Sequence, residues 1–198
     1  MEQILRLFLY NNKLKFSEIE KQTGIQSNKL AYYIKKLTNE KVLKKENEFY
    51  FLNEDSEYLI PYIDSRISVL PVILIAINKK NNVFLYKRQK KPYKDKLSLP
   101  GGRMILGEDI SDSAKRIMKK YNINAKLKKI NSISLEQVKK KGKTIHTFLL
   151  IFVSAETKDE IPYLDREKNK KQIISSDYKL MKNDLYKEIK IKRIISRG

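Results

Sequence analysis

The chain has 198 residues, 41% of them hydrophobic, with no cysteine, one histidine and a formal net charge of +20. Lacking cysteine it can form neither disulfides nor thiolate metal sites, and with His146 alone it cannot build a multi-histidine site. Its most apolar runs, 69–77 and 147–155, are strand-length, and its first residues lack the basic start and small-residue cleavage site of a signal peptide, so a soluble cytoplasmic protein without a membrane partner is expected.

The charge admits two readings: a polyanionic partner such as nucleic acid or a phosphorylated nucleotide, or the lysine-rich drift of a chain also rich in Ile, Asn and Tyr. Its distribution is more informative than its sum. Residues 1–60 hold 10 Lys and Arg against 9 Asp and Glu, whereas the remainder holds 33 against 14. Within the first part, residues 27–45 contain six lysines and one glutamate, and residues 46–60 contain five acids and no base.

In chain order, Ile4, Leu7 and Phe8 are spaced as on a helix, which "NNKLK" breaks. "FSEIEKQTG" reads as a second helix, capped by Ser17 with Glu20 completing a capping box, and stopped by Gly24. "SNKLAYYIKKLTNEK" reads as a third, capped by Ser27, with Leu30, Ile34 and Leu37 on its inner face. "KVLKKENEFYFL" then reads as a hairpin whose turn is "KKENE". Residues 53–68 form a connector with room for a short helix. From Val69 onward strands dominate: "VLPVILIAIN", the turn "KKNN", and "VFLYKR". The stretch "LPGGRMILGEDISDSAKRIMKKYNI" reads as a glycine turn, a loop and an amphipathic helix, with Ile110, Ala114, Ile117, Met118 and Tyr121 on one face. Two further strands follow around the turn "KKKGK". The end of the chain reads as a helix packing through Leu180, Leu185, Ile189 and Ile194.

Three helices and a hairpin within about 50 residues is the winged helix-turn-helix pattern. "SNKLAYYIKKLTNEKVLKKENEFYFLN" resembles the recognition helix and wing of small winged-helix repressors of bacteria and archaea. The N-terminal residues of such a helix reach base edges. Here they are Gln26, Ser27, Asn28 and Lys29, with Tyr32, Lys35 and Lys36 on the same outward face, and Lys44 and Lys45 expected at the hairpin turn against flanking phosphates. The same fold used for protein contacts is the alternative.

Residues 99–123 resemble the Nudix box, G-x5-E-x7-R-E-U-x-E-E-x-G-U, where U is aliphatic. Gly102, Glu108, Arg116 and Met118 fit, Leu99-Pro100-Gly101-Gly102 matches the usual entry, and "VFLYKR" resembles the preceding strand. The resemblance implies a mixed sheet between helices, and hydrolysis of nucleoside diphosphate derivatives with Mg²⁺ held by the box glutamates. At those three positions this chain has Ile117, Lys120 and Tyr121; shifting the alignment by one residue substitutes Arg116, Lys119 and Lys120, so neither register supplies an acid. Lysine repels Mg²⁺ but can take over its charge in holding phosphate. Glu108, Asp109 and Asp112 are expected to serve the helix N-terminus electrostatically, and His146 to pack or sit at the surface. Tyr163 and the basic tail (Lys190, Lys192, Arg193, Arg197) could touch nucleic acid but are expected to be solvated.

The expected fold is α+β: a winged helix-turn-helix over 1–58, a linker over 59–67, and a Nudix-like α/β/α sandwich with a mixed sheet over 68–198. The expected function is a homodimeric transcriptional regulator that binds double-stranded DNA. Its catalytically degenerate Nudix domain would sense a phosphorylated nucleotide or nucleotide-sugar, or mediate dimerisation. The expected ligand-binding residues are Arg88, Gly101, Gly102, Arg103, Glu108, Arg116 and Lys120. Two alternatives stand beside it: an atypical Nudix hydrolase, for which alone Mg²⁺ would be needed, and a nucleic-acid-binding module built on the basic second domain. Regulators pairing these folds, with a non-hydrolysing Nudix domain that binds an ADP-ribose-like effector, carry the winged helix last; here it comes first.

Overall fold

A computed structural model describes residues 1–63, 68–90 and 93–196, leaving aside the side chains of residues 57, 58, 60 and 61. The chain divides into two compact units, Met1–Ile67 and Ser68–Gly198.

The first unit runs α1 (Glu2–Leu7), β1 (Leu14–Lys15), α2 (Phe16–Thr23), α3 (Ser27–Asn39), β2 (Leu43–Glu46) and β3 (Phe49–Leu52). Helical spacing on α3 brings Leu30, Ile34 and Leu37 onto one buried face, where they meet Ile4, Ile19, Leu14, Leu43 and Tyr50 in a single core. Gly24 ends α2 at a positive φ of 65°, and its N–H bonds the Glu20 carbonyl at 2.8 Å.

Three local expectations are corrected here. α2 begins at Phe16, because the chain enters it extended from β1; the Glu18 carboxylate accepts from the Lys15 N–H at 2.7 Å, and no Ser17–Glu20 box forms. Ser27 is the first residue of α3 rather than its cap, and its hydroxyl donates to Glu20, tying α3 to α2. The hairpin turn is shorter than "KKENE": β2 runs to Glu46, with Asn47 at a positive φ of 55°. Lys44 and Lys45 therefore lie within β2, opposite Phe51 and Tyr50. Strand β1, too short to show in the sequence pattern, pairs Leu14 with Tyr50 and Lys15 with Phe49, giving the sheet order β1-β3-β2.

A 3-10 helix (Glu54–Tyr62) follows. It belongs to the first unit and is tied to the rest of it: the Ser56 hydroxyl donates to the Lys41 carbonyl at 3.2 Å, and just beyond the helix the Ile63 carbonyl accepts from Arg6 Nε at 3.2 Å. Residues 64–67 of the expected linker lie outside the described residues.

The second unit contains β4 (Leu70–Ala76), β5 (Asn78–Lys79), β6 (Asn82–Val83), β7 (Tyr86–Lys87), β8 (Leu97–Ser98), β9 (Gly101–Arg103), α4 (Ile110–Lys119), β10 (Ala125–Lys140), β11 (Lys143–Thr157), β12 (Leu164–Asp165) and α5 (Ser175–Asn183). Its main sheet has the order β10-β11-β4-β9 and is mixed, since β4 runs parallel to β11 while the other pairs are antiparallel. β4 and β11 are apolar at consecutive positions because both of their faces are covered. Ile73, Ile75, Ile151 and Val153 face α4 through Ala114, Ile117 and Met118. Leu74, Ala76, Leu150 and Phe152 face α5 through Tyr178, Leu180 and Met181. The amphipathic face expected on α4 is the buried one: Ile117 and Met118 are fully enclosed, and Ile110 and Tyr121 pack at its margin. Lys141 and Gly142, both at positive φ, make the two-residue turn between β10 and β11.

The end of the chain departs from expectation. α5 stops at Asn183, and the residues beyond it are not helical. A buried bulge residue, Asn131, donates its amide to the Leu185 carbonyl at 2.6 Å and the Lys187 carbonyl at 3.2 Å, drawing the backbone out of helical geometry. The Ile189 N–H then bonds the Ile130 carbonyl at 2.9 Å, so this residue meets the sheet edge. Leu180 and Leu185 are core residues as expected, but Ile189 is only partly covered and Ile194 is 84% exposed. Among the described residues no helix is long and apolar enough to cross a membrane.

Candidate functional site

In the second unit, β9 presents Gly101 and Gly102 to β4, paired with Leu74 and Ile73. A Cβ on Gly101 would lie 2.7 Å from Leu74 Cδ2 and 3.0 Å from the Ile73 carbonyl oxygen, which explains the glycine there. The loop after β9 ends at Glu108, which does not face open solvent alone. Arg116 donates to it through Nε and, at 2.8 Å, through Nη2; the same Nη2 reaches the Arg103 carbonyl at 2.8 Å. Ser113 donates a further bond to Glu108 at 2.6 Å. These donors stabilise the carboxylate and pull the Glu108 pKa down to about 2. Asp109 caps α4 by accepting from the Asp112 N–H at 2.9 Å, the helix-terminal role expected of it.

The three positions where the family pattern has metal-holding glutamates are occupied as follows. Ile117 is fully buried against the sheet, its Cγ1 only 3.1 Å from where a Cβ on Gly102 would be. Lys120 is exposed at the C-cap of α4. Tyr121 is half-buried, its ring 5.9 Å from Phe84 and 5.0 Å from Tyr86. Burial and a hydrogen bond with Tyr86 push its hydroxyl above the usual tyrosine range. Mg²⁺ takes hard oxygen ligands, mainly carboxylates. An isoleucine, a lysine and a tyrosine that holds its proton do not fit it, and among the described residues no three His, Cys, Asp or Glu side chains come together.

Beside these residues lies a groove of about 530 Å³ lined by Tyr86, Lys87, Arg88, Gln89, Lys90, Gly101, Lys120 and Tyr121. Four of the eight are cations and none is an acid. Arg88 is positioned by its own loop, with Nε donating to the Lys90 carbonyl at 3.0 Å and Nη1 3.5 Å from the Tyr86 hydroxyl. Arg88 and Gly101 also line a larger cleft of about 750 Å³, floored by Leu70, Val72, Leu74 and Phe148 and bordered by Gly102, Arg103 and His146. Next to it, Asp177 is buried on α5, accepting from Ser98 Oγ and the Leu99 N–H, each at 2.9 Å. Burial pushes its carboxyl up to about 6.

Of the residues expected to bind ligand, Arg88, Gly101 and Lys120 thus converge on the groove, and Gly102 and Arg103 lie on the adjoining cleft. Glu108 and Arg116 are bonded to each other and line neither cavity. Tyr86, Lys87, Lys90 and Tyr121 were not anticipated, although the last stood in the box itself. Asp177 and Glu136, which share a smaller pocket with Arg88, left no sequence signal. His146 is exposed, stacked on Phe148 at 5.8 Å. Tyr163 is half-buried under Lys79, whose Nζ lies 4.9 Å from its ring centre.

In the first unit, Gln26, Ser27, Asn28, Lys29, Tyr32, Lys35 and Lys36 are all exposed, opposite the buried face of α3. Lys29 leans over Tyr33 at 5.9 Å, and Lys36 pairs loosely with Glu40 at 3.9 Å. Lys44 pairs with Glu46 at 3.2 Å, and Lys45 lies 5.6 Å from the Tyr50 ring.

No family model matches the sequence, and no curated protein matches it either. Solved structures do. A NUDIX hydrolase from Nitrosomonas europaea aligns with a TM-score of 0.51 at 12% identity, over 58% of this chain and 87% of that one. The NUDIX domain of Shewanella oneidensis NrtR complexed with ADP ribose aligns at 0.48 and 12%, over 65% of this chain and 94% of that one. A MutT protein from Bacillus halodurans aligns at 0.46 and 16%, over 61% and 84%. The first of these likenesses is one of fold: the chain contains a Nudix-like domain, a mixed sheet with a helix on each face.

Proposed function

We propose that this chain is a DNA-binding transcriptional regulator whose Nudix-like domain binds a phosphorylated nucleotide without hydrolysing it. The observation that carries the second half is the exchange of chemistry at the box. The acidic positions hold Ile117, Lys120 and Tyr121, and the groove alongside is lined by four cations and no carboxylate. Such a surface attracts phosphate and repels a divalent cation.

The first half is supported by the order of elements in the first unit, helix, strand, helix, helix and hairpin, which suits a winged helix-turn-helix. α3 would lie in the major groove, with Gln26, Asn28 and Lys29 at base edges and Tyr32, Lys35 and Lys36 beside the backbone. Ser27, bonded to Glu20, would hold α3 in place rather than read a base. Lys45 on β2 would touch flanking phosphate. Two half-sites multiply modest affinity, so the active form would be a homodimer.

The test is selection of duplexes from a random pool by the full chain, followed by fluorescence anisotropy on the enriched sequence with and without nucleotides. A sequence-specific complex whose affinity changes with a nucleotide supports the reading. Failure to enrich any sequence, or Mg²⁺-dependent release of phosphate or nucleoside monophosphate from a nucleotide panel, would replace it with the accessory-domain or hydrolase alternatives.

A further inference from the structure

We infer that the groove beside Lys120 and Tyr121 binds a di- or triphosphate chain as the bare, metal-free anion, so that Mg²⁺ competes with the protein for the ligand instead of completing the site. The inference deepens the nucleotide-binding half of the proposed function and rests on it.

Around a pyrophosphate, negative charge must be offset by something. A divalent cation held on carboxylates is one solution, because the acids retain the metal and the metal retains the phosphate. The opposite arrangement appears here. Lys87, Arg88, Lys90 and Lys120 line one groove of about 530 Å³ with no acid among its lining residues. Lys87 lies 3.9 Å from Asp95 in a pair that is 70% and 66% exposed, too solvated to neutralise the groove. Arg88 also borders the smaller pocket that holds Glu136 and Asp177, so the three lysines supply most of the groove's positive charge. Two side chains are held in place: Arg88 by its bond to the Lys90 carbonyl, and Tyr121 by its contacts with Tyr86 and Phe84. Four cations around one concavity repel one another until an anion enters.

A magnesium-bound phosphate chain carries two fewer negative charges than the free one, so it is the poorer ligand for a groove lined by four cations. The ligand class follows from the neighbouring cavity. Arg88 and Gly101 are shared between the groove and a cleft of about 750 Å³ floored by Leu70, Val72, Leu74 and Phe148. A phosphate chain in the groove therefore leaves an apolar-floored space for an attached nucleoside. Nucleoside di- and triphosphates fit this description better than inorganic pyrophosphate, which would leave the cleft empty.

Isothermal titration calorimetry on the full chain with ATP, ADP and inorganic pyrophosphate, in EDTA and again in Mg²⁺ exceeding the ligand, tests this. Expected are binding in EDTA, tighter for ATP and ADP than for pyrophosphate, and a loss of about tenfold or more with Mg²⁺, because only the free anion remains competent. Lys120→Ala and Lys120→Glu, at an exposed position, should weaken binding in EDTA progressively, while Lys168→Ala, an exposed lysine outside the groove, should not. Affinity that is unchanged or raised by Mg²⁺, equal loss in Lys168→Ala, or no binding of any probe would overturn the inference. If DNA selection fails while metal-free nucleotide binding holds, the regulator reading falls and this one stands; if sequence-specific DNA binding survives while no probe binds, the reverse is true.

Discussion

Ile117 and Gly102 are packed face to face: a Cβ on the glycine would lie 3.1 Å from Ile117 Cγ1 and 3.3 Å from its Cδ1. The side chain that stands at an acidic position of the Nudix pattern is thus part of the contact that closes β9 onto α4. The two glycines are then needed for different reasons, and their substitution should separate them. Gly101→Ala meets the Ile73 backbone oxygen as well as Leu74, and should cost about 1–3 kcal/mol. Gly102→Ala meets only the Ile117 side chain, which can shift, and should cost less. Urea unfolding of the two variants checks the order; an equal or inverted pair would show that the loop relaxes freely.

Placing acids where the Nudix pattern has them should show which of these positions the fold tolerates as carboxylates. Ile117 has no exposed surface, so Ile117→Glu buries a carboxyl among Ile73, Ile151 and Met118 and should destabilise by about 3 kcal/mol or more. Lys120→Glu, at an exposed position, should change stability by less than about 0.5 kcal/mol. Thermal unfolding measures both, and a tolerated Ile117→Glu would contradict the packing described.

Asp177 makes folding depend on pH in a direction opposite to most carboxylates. Its folded pKa is raised from 3.8 to about 6 by burial. The folded state therefore binds more protons between these values, and stability is fully present below the lower one and lost as pH rises through the upper one. The loss amounts to about 3 kcal/mol. Asp177→Asn keeps an oxygen for Ser98 and Leu99 but cannot ionise. Denaturant unfolding between pH 4 and pH 7 (on the order of one unit apart per point) should show a falling trend in the wild type that is flattened in the variant.

The Glu108–Arg116 pair has the usual sign. The Glu108 pKa, pulled down from 4.5 to about 2, means the pair supports folding above the unfolded value and ceases to do so as pH falls through the folded one. Unfolding curves of the wild type and Glu108→Gln should differ at neutral pH and converge in strong acid. Arg116→Lys should not substitute, because one ammonium cannot span both Glu108 oxygens and the Arg103 carbonyl.

On the proposed DNA-reading face, exposed residues of α3 should divide by role. Lys36→Ala should weaken binding to all sequences and lower the slope of log affinity against log salt by about one. Asn28→Ala should instead relax preference at one base position, by about 1–3 kcal/mol. Anisotropy across a salt series, on the selected duplex and a scrambled one, distinguishes the two. Identical effects of both variants would count against α3 as the reading helix.

Much of the architecture was legible because burial imposes periodicity. The two-sided apolar runs of β4 and β11, the inner face of α3 and the amphipathic face of α4 all follow from which positions must avoid water. What escaped were features set by single tertiary bonds. β1 exists because β3 offers its edge to two residues. The Ser27 hydroxyl is taken by Glu20 rather than by its own helix. α5 ends early because Asn131, more than fifty residues upstream, captures the following carbonyls.

The candidate site divides along the same line. The sequence alone determined that the acidic box positions hold no acid in either register, Ile117, Lys120 and Tyr121 in one and Arg116, Lys119 and Lys120 in the other. It could not determine which of the glycines, acids and cations share a cavity. That was decided by folding, which turned Glu108 and Arg116 toward each other and gathered Lys87, Arg88 and Lys90 from β7 and its loop beside Lys120 at the end of α4. Local spacing is written along one element, but a charge cluster assembled from two is a property of how they pack.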